Sequence, residues 1–65
     1  MKLSEKIYLL RKEKGMTQDE LASKCGVSRQ SVSKWEATDA KPDIDSIRLL
    51  AQTFEMSIDD FLNTD

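Results

Sequence analysis

The stretch Thr17-Gln18-Asp19-Glu20-Leu21-Ala22-Ser23-Lys24-Cys25-Gly26-Val27-Ser28-Arg29-Gln30-Ser31-Val32-Ser33-Lys34-Trp35 reads as two short helices with almost nothing between them. Thr17 stands where the first begins, and Glu20 follows three residues later. A threonine hydroxyl there accepts from a free backbone N–H while the glutamate reaches back to the cap's own N–H, the reciprocal pattern of a capping box. Met16 before the cap and Leu21 at the fourth helical position are spaced as a hydrophobic staple. Gly26 can take the left-handed backbone that ends a helix at low cost. Ser28 then caps a second helix, and Val27 with Val32 repeats the staple. Only Val27 separates stop from start, so the two helices cannot lie side by side and must cross steeply.

That crossing is the geometry of a helix-turn-helix, with a core at about residues 17–37. At about 100° per residue, Val32 and Trp35 fall on one side of its second helix. Arg29, Gln30, Ser33 and Lys34 fall on the other. A solvated helix face is the plain reading of such a stripe. The tight turn, the two caps and the absence of any acid from Ser28 to Lys34 favour a DNA-reading face instead. Arginine forks onto guanine and glutamine onto adenine in the major groove, while lysine and serine reach phosphates or base edges. The helix start also offers free N–H groups and a positive dipole end to a phosphate.

With these residues in place, the chain resembles the Cro and phage-repressor type of helix-turn-helix, small bacterial and phage transcription regulators. The matching residues are Gly15-Met16-Thr17-Gln18, Leu21-Ala22, Gly26-Val27-Ser28, Val32-Ser33, Trp35-Glu36 and Pro42-Asp43, in the right spacing across nearly the whole chain. The resemblance implies an all-α, compact five-helix lambda-repressor-like domain spanning residues 1–65. It implies a repressor that binds double-stranded DNA at a near-palindromic operator, commonly as a homodimer. It also implies that Glu36 pairs with Arg11, tying the first helix to the third, and that Gln18 contacts a phosphate.

Sixty-five residues allow one small domain, which buries only about 60% of its unfolded surface and must be well capped. A single cysteine excludes an internal disulfide, and Cys25 reads as a small buried hydrophobe. Met1 to Leu10 carries Lys2, Glu5 and Lys6, so no signal peptide is visible. No apolar run approaches the roughly 20 residues of a membrane span, so a soluble, cytoplasmic protein is expected. The net charge is −2, which argues against nucleic acid until its distribution is read. Residues 1–34 hold eight bases and four acids, a balance of +4; residues 35–65 hold two bases and eight acids, a balance of −6. The basic half contains the reading helix, and the acidic half can face away from DNA.

Five helices are expected, over about Leu3–Lys14, Gln18–Lys24, Arg29–Ala37, Ile44–Phe54 and Ile58–Asn63. Leu3, Ile7 and Leu10 share the stripe of the first, with Arg11 at its edge. Tyr8 and Leu9 fall off it. Leu21, Ala22, Val27, Val32 and Trp35 are assigned to the core. Ile44, Ile47, Leu50, Ala51 and Phe54 make the apolar face of the fourth helix, which Asp43 caps. Ser57, Asp60, Met56 and Phe61 repeat the cap and staple for the fifth. Ile58, Phe61 and Leu62 are more apolar surface than so short a helix normally buries, leaving part for a dimer contact.

One departure stands out. The family often has Asn, Gly and a base where this chain has Ala37, Thr38 and Asp39. A left-handed turn residue is costlier as threonine than as glycine, and Asp39 would repel a phosphate; Lys41 supplies a compensating base. Thr17, Gln18, Ser28 and Lys41 are therefore the expected backbone contacts, with Arg29, Gln30, Ser33 and Lys34 at the bases. No histidine, Gly-rich phosphate loop or nucleophile–base pair supports catalysis, a metal or a cofactor, and no small-molecule ligand is evident. Two rivals keep the fold but change the role. One is a protein-interaction module, motivated by the acidic second half. The other is an antitoxin-like regulator that binds both DNA and a toxin.

Overall fold

The computed structural model describes residues 1–65. It contains five helices and no strands: α1 Leu3–Glu13, α2 Gln18–Cys25, α3 Arg29–Ala37, α4 Ile44–Thr53 and α5 Ile58–Leu62. Four of these end one residue away from the sequence expectation. Lys14, Phe54 and Asn63 prove to be the residues that close α1, α4 and α5, while Cys25 extends α2 up to Gly26. No helix is long and apolar enough to cross a membrane.

Three of the four connections share one construction. Gly15, Gly26 and Glu55 all have positive φ, at 70°, 66° and 58°. In each case the next residue donates back to the helix just ended: Met16 N to Arg11 O, Val27 N to Ala22 O and Met56 N to Ala51 O, at 3.0–3.1 Å. These are the longer bonds of a Schellman ending, which satisfies the orphan carbonyls of a helix terminus. Met16, Val27 and Met56 then pack against the core, and the residue after each caps the next helix. Thr17 accepts from Glu20 N, Ser28 from Ser31 N and Ser57 from Asp60 N. Each turn is thus three residues long, a left-handed stop, an apolar anchor and a hydroxyl start.

The connection from α3 to α4 is different. Thr38 is extended, at φ −132°, so the left-handed threonine and its cost do not arise. Its hydroxyl donates to Lys34 O at 2.8 Å and accepts from Ala40 N at 3.1 Å. The side chain thereby ends the helix that a glycine would otherwise end.

Helix α3 packs on α1 and α2, α2 also on α4, and α4 on α5. The core they share is Ile7, Leu21, Ala22, Cys25, Val32, Trp35, Leu50, Ala51, Phe54 and Phe61. One expectation for α4 needs correction. Ile44 lies outside the core, 60% exposed. It is the first helical residue, and a helical side chain leans toward the N-terminus, here back over the preceding loop. Ser46 is buried instead, four residues before Leu50 on the same face. Of the surplus apolar residues on α5, Phe61 is fully buried and meets Phe54 with ring centroids 6.1 Å apart, while Leu62 remains exposed. The two chain ends are also drawn together. The Met1 amino group donates to Thr64 O at 2.7 Å, and Lys6 Nζ donates to Asp60 O and Asn63 O.

Candidate nucleic-acid interface

The third helix starts at Ser28, whose hydroxyl accepts from Ser31 N at 3.2 Å and also lies 3.2 Å from Ser31 Oγ. Val32 and Trp35 point inward, 0% and 8% exposed. Arg29, Gln30 and Lys34 are exposed and Ser33 is half-buried. The two sides expected from the helical period are therefore separated in space. The one acid on the helix, Glu36, is turned away from solvent.

Glu36 belongs to a buried network that fixes how α3 is held. Arg11 Nε donates to Glu36 Oε2 at 2.6 Å and Arg11 Nη2 to Glu36 Oε1 at 3.0 Å, a two-pronged ion pair. Arg11 Nη1 donates to Met16 O at 2.8 Å, and Gln18 Nε2 donates to Glu36 Oε1 at 3.1 Å. The Arg11 and Glu36 side chains are only 9% and 6% exposed. The hydrogen bonds to Glu36, partly opposed by desolvation, raise the Arg11 pKa above its ordinary value. No buried side-chain nitrogen or oxygen lacks a partner, which such a pair requires, because charges removed from water are tolerated only when fully satisfied. The network joins α1, the α1–α2 turn, α2 and α3 at one point. The Arg11 guanidinium also lies 5.4 Å from the centroid of the Tyr8 ring, so Tyr8 covers the pair from outside.

The expected contact residues fall on three elements. Thr17, Gln18 and Ser28 sit at the starts of α2 and α3. Thr17 Oγ1 and Ser28 Oγ each accept a backbone N–H group, and Ser28 Oγ also lies within hydrogen-bond distance of Ser31 Oγ. Gln18 spends one amide hydrogen on Glu36 and keeps the second. Lys41 is exposed on the α3–α4 loop. Asp39, three residues after Glu36, lies 3.6 Å from Lys2 Nζ, so the acid expected to repel DNA has its own counter-charge.

One residue escaped the sequence reading. Asp19 Oδ1 lies 3.7 Å from Arg29 Nε. The two are ten positions apart, in separate helices, so no helical period relates them. The packing of α2 on α3 brings the first turn of one beside the first turn of the other. Elsewhere, no group of three His, Cys, Asp or Glu side chains is placed to hold a metal ion. Cys25 is buried, and burial raises its thiol pKa, which makes it a poor nucleophile.

Comparison with known proteins places this geometry. A family model described as helix-turn-helix matches residues 7–61. The chain is 36% identical over 63 residues to the HTH-type transcriptional activator BcrR of Enterococcus faecalis, covering 97% of this chain and 31% of that protein. It therefore spans about a third of that relative's length. Among solved structures it is similar to the P22 c2 repressor protein in complex with a synthetic operator, with a TM-score of 0.91 and 28% identity over 100% of this chain and 98% of that one. It is also similar to SinR, described as the master regulator for biofilm formation, in complex with DNA. There the TM-score is 0.84 and the identity 29%, over 94% of this chain and 98% of that one.

Proposed function

The chain belongs to the helix-turn-helix family, and on that premise we propose that it is a sequence-specific double-stranded DNA-binding regulator of transcription, acting as a repressor, with α3 in the major groove. The observation that carries this reading is the face of α3. Arg29, Gln30, Ser33 and Lys34 stand on the side opposite Val32 and Trp35, and Glu36 is folded inward onto Arg11. The outer face is thus left with donors and no carboxylate of its own. In this reading Arg29 and Gln30 take guanine and adenine edges, with Lys34 and Ser33 beside them. Thr17, Gln18, Ser28 and Lys41 hold the phosphate backbone and so set register without reading sequence. The likeness to a repressor bound to operator DNA supports both the docking and the repressor role.

Two copies would bind a near-palindromic operator, with half-sites one helical turn, roughly 34 Å, apart. A bacterial or phage regulator of this kind works in the cytoplasm, and no catalytic step is assigned to it. The test is selection from a random duplex pool, followed by a salt titration of the enriched sequence. Neutralising phosphates releases counterions, so affinity should fall linearly on a log–log plot with a slope near −0.9 per phosphate contacted. An enriched near-palindrome with a steep slope is expected. A folded protein that enriches nothing and shows no salt dependence would instead point to a protein partner.

A further inference from the structure

We propose that Asp19 is a specificity-determining residue that positions Arg29, holding the guanidinium for a base edge and keeping it from settling on phosphates of non-operator DNA. The proposal rests on α3 entering the major groove.

Asp19 Oδ1 lies 3.7 Å from the Nε side of Arg29, and both side chains are largely in solvent, 78% and 57% exposed. A guanidinium carries five donors in a planar fork. A carboxylate beside Nε leaves the Nη1/Nη2 edge open, and that edge presents two parallel donors that can pair with guanine O6 and N7. Asp19 and Arg29 lie in the first turns of α2 and α3, the ends that face DNA in the proposed docking. Gln18, next to Asp19, is tied to Glu36, so the start of α2 is anchored and the carboxylate is presented from a firm base.

As a stabilising contact the pair matters little, because exposed ion pairs contribute almost nothing to folding. Its consequence lies in the binding difference between correct and incorrect DNA. On arbitrary sequence the dominant attraction is to phosphates. There Asp19 cancels the charge of Arg29 and adds a repulsion of its own. On the operator, the Nη edge pairs with guanine while Nε stays beside the carboxylate, so Arg29 need not leave Asp19 to bind. The acid thus weakens non-specific binding more than specific binding, which raises the ratio between them.

The experiment uses the duplex enriched by selection and a mixed-sequence duplex of equal length. Affinities and salt slopes are measured for the wild type, Asp19→Asn, Asp19→Glu, Arg29→Ala and the Asp19→Asn/Arg29→Ala double variant, each first shown to be folded by thermal melting. Asp19→Asn should tighten binding to the mixed duplex by about three- to tenfold and steepen its salt slope by about one, with a smaller gain on the enriched duplex. Asp19→Glu, which keeps the charge, should retain most of the preference. In the Arg29→Ala background the difference that Asp19→Asn makes between the two duplexes should vanish. The proposal is overturned if Asp19→Asn changes both affinities by the same factor or leaves them unchanged, or if its effect persists without Arg29. If Arg29→Ala itself leaves the preference intact, the base-reading role of Arg29 falls and the positioning role of Asp19 with it. If selection enriches nothing, docking in the major groove falls first.

Discussion

Two arginine–carboxylate pairs lie close to the start of the helix-turn-helix, and they do opposite things. Arg11 and Glu36 meet at 2.6 Å with side chains 9% and 6% exposed. Arg29 and Asp19 stand 3.7 Å apart, mostly in solvent. The chemistry is the same and the surroundings are not. In the first pair both charges have left water, each guanidinium nitrogen and each carboxylate oxygen has a hydrogen-bond partner, and the geometry of both side chains is fixed. In the second, water screens the attraction, the Nη groups are open, and the arginine remains available to a ligand. Burial therefore sorts the two arginines into one that holds α3 in place and one left open at its surface.

This contrast can be broken or sharpened by substitution. The largest effect is expected at Glu36→Ala, which strands Arg11 as an uncompensated buried charge and should cost about 3–5 kcal/mol of stability, much of what so small a domain possesses. Urea unfolding measures it, and a loss under about 1 kcal/mol, the scale of a surface pair, would put this pair in the exposed class. Next is Arg29→Ala. It should shift folding stability by no more than about 0.5 kcal/mol, yet cost about 1–3 kcal/mol on the enriched duplex and relax preference at one base pair. Uniform weakening on all sequences would make Arg29 a phosphate contact. Thr17→Ala, which removes the α2 cap beside the buried network, should cost about 1 kcal/mol, read from the same urea midpoints.

The smallest effect comes from the exposed carboxylates. A hydrogen bond from the Thr17 backbone N–H holds Glu20 below its ordinary value of 4.5, and Lys14, by hydrogen bond and charge, does the same for Glu55. The unfolded chain binds those protons more readily, so their contribution is present above the ordinary value and is lost as pH falls through the lowered one. Melting temperature should therefore decline on acidification below about pH 4.5, and Glu20→Gln should flatten part of that decline. A variant that parallels the wild type across the whole range would show that the Glu20 contact is not formed in solution.

Much of this architecture is local enough to read from the chain. Thr17 with Glu20, Gly26, Ser28, and the separation of Val32 and Trp35 from Arg29 and Lys34 all follow from neighbours within four positions. Readings fail where the cause is distant or where an unusual residue does a familiar job. Glu55 carries the same left-handed backbone and the same hydrogen bonds as Gly26, but glutamate gives no sign of it. Thr38 ends α3 through its side chain, so the missing glycine is not missed. Arg11 reads as the edge of a stripe because its partner is 25 residues away, and there the family resemblance supplied what periodicity could not. Asp19 reads as one more surface acid because its neighbour belongs to another helix.

The division of α3 into an inward and an outward side has a consequence for how such a protein can change over generations. Val32, Trp35 and Glu36 are committed to the fold, whereas Arg29, Gln30 and Lys34 make no contact on which the core depends. A duplicated copy can thus acquire a new target sequence through a few exposed substitutions without having to solve its folding again. An added residue between Gly26 and Ser28 is a different kind of change. It would lengthen a turn in which every residue has a place, the left-handed Gly26, the core anchor Val27 and the cap Ser28, and so shift the whole of α3, its outward side chains and Val32 together. New specificities should therefore arise in this lineage by replacement along the helix and almost never by a change in the length of the turn.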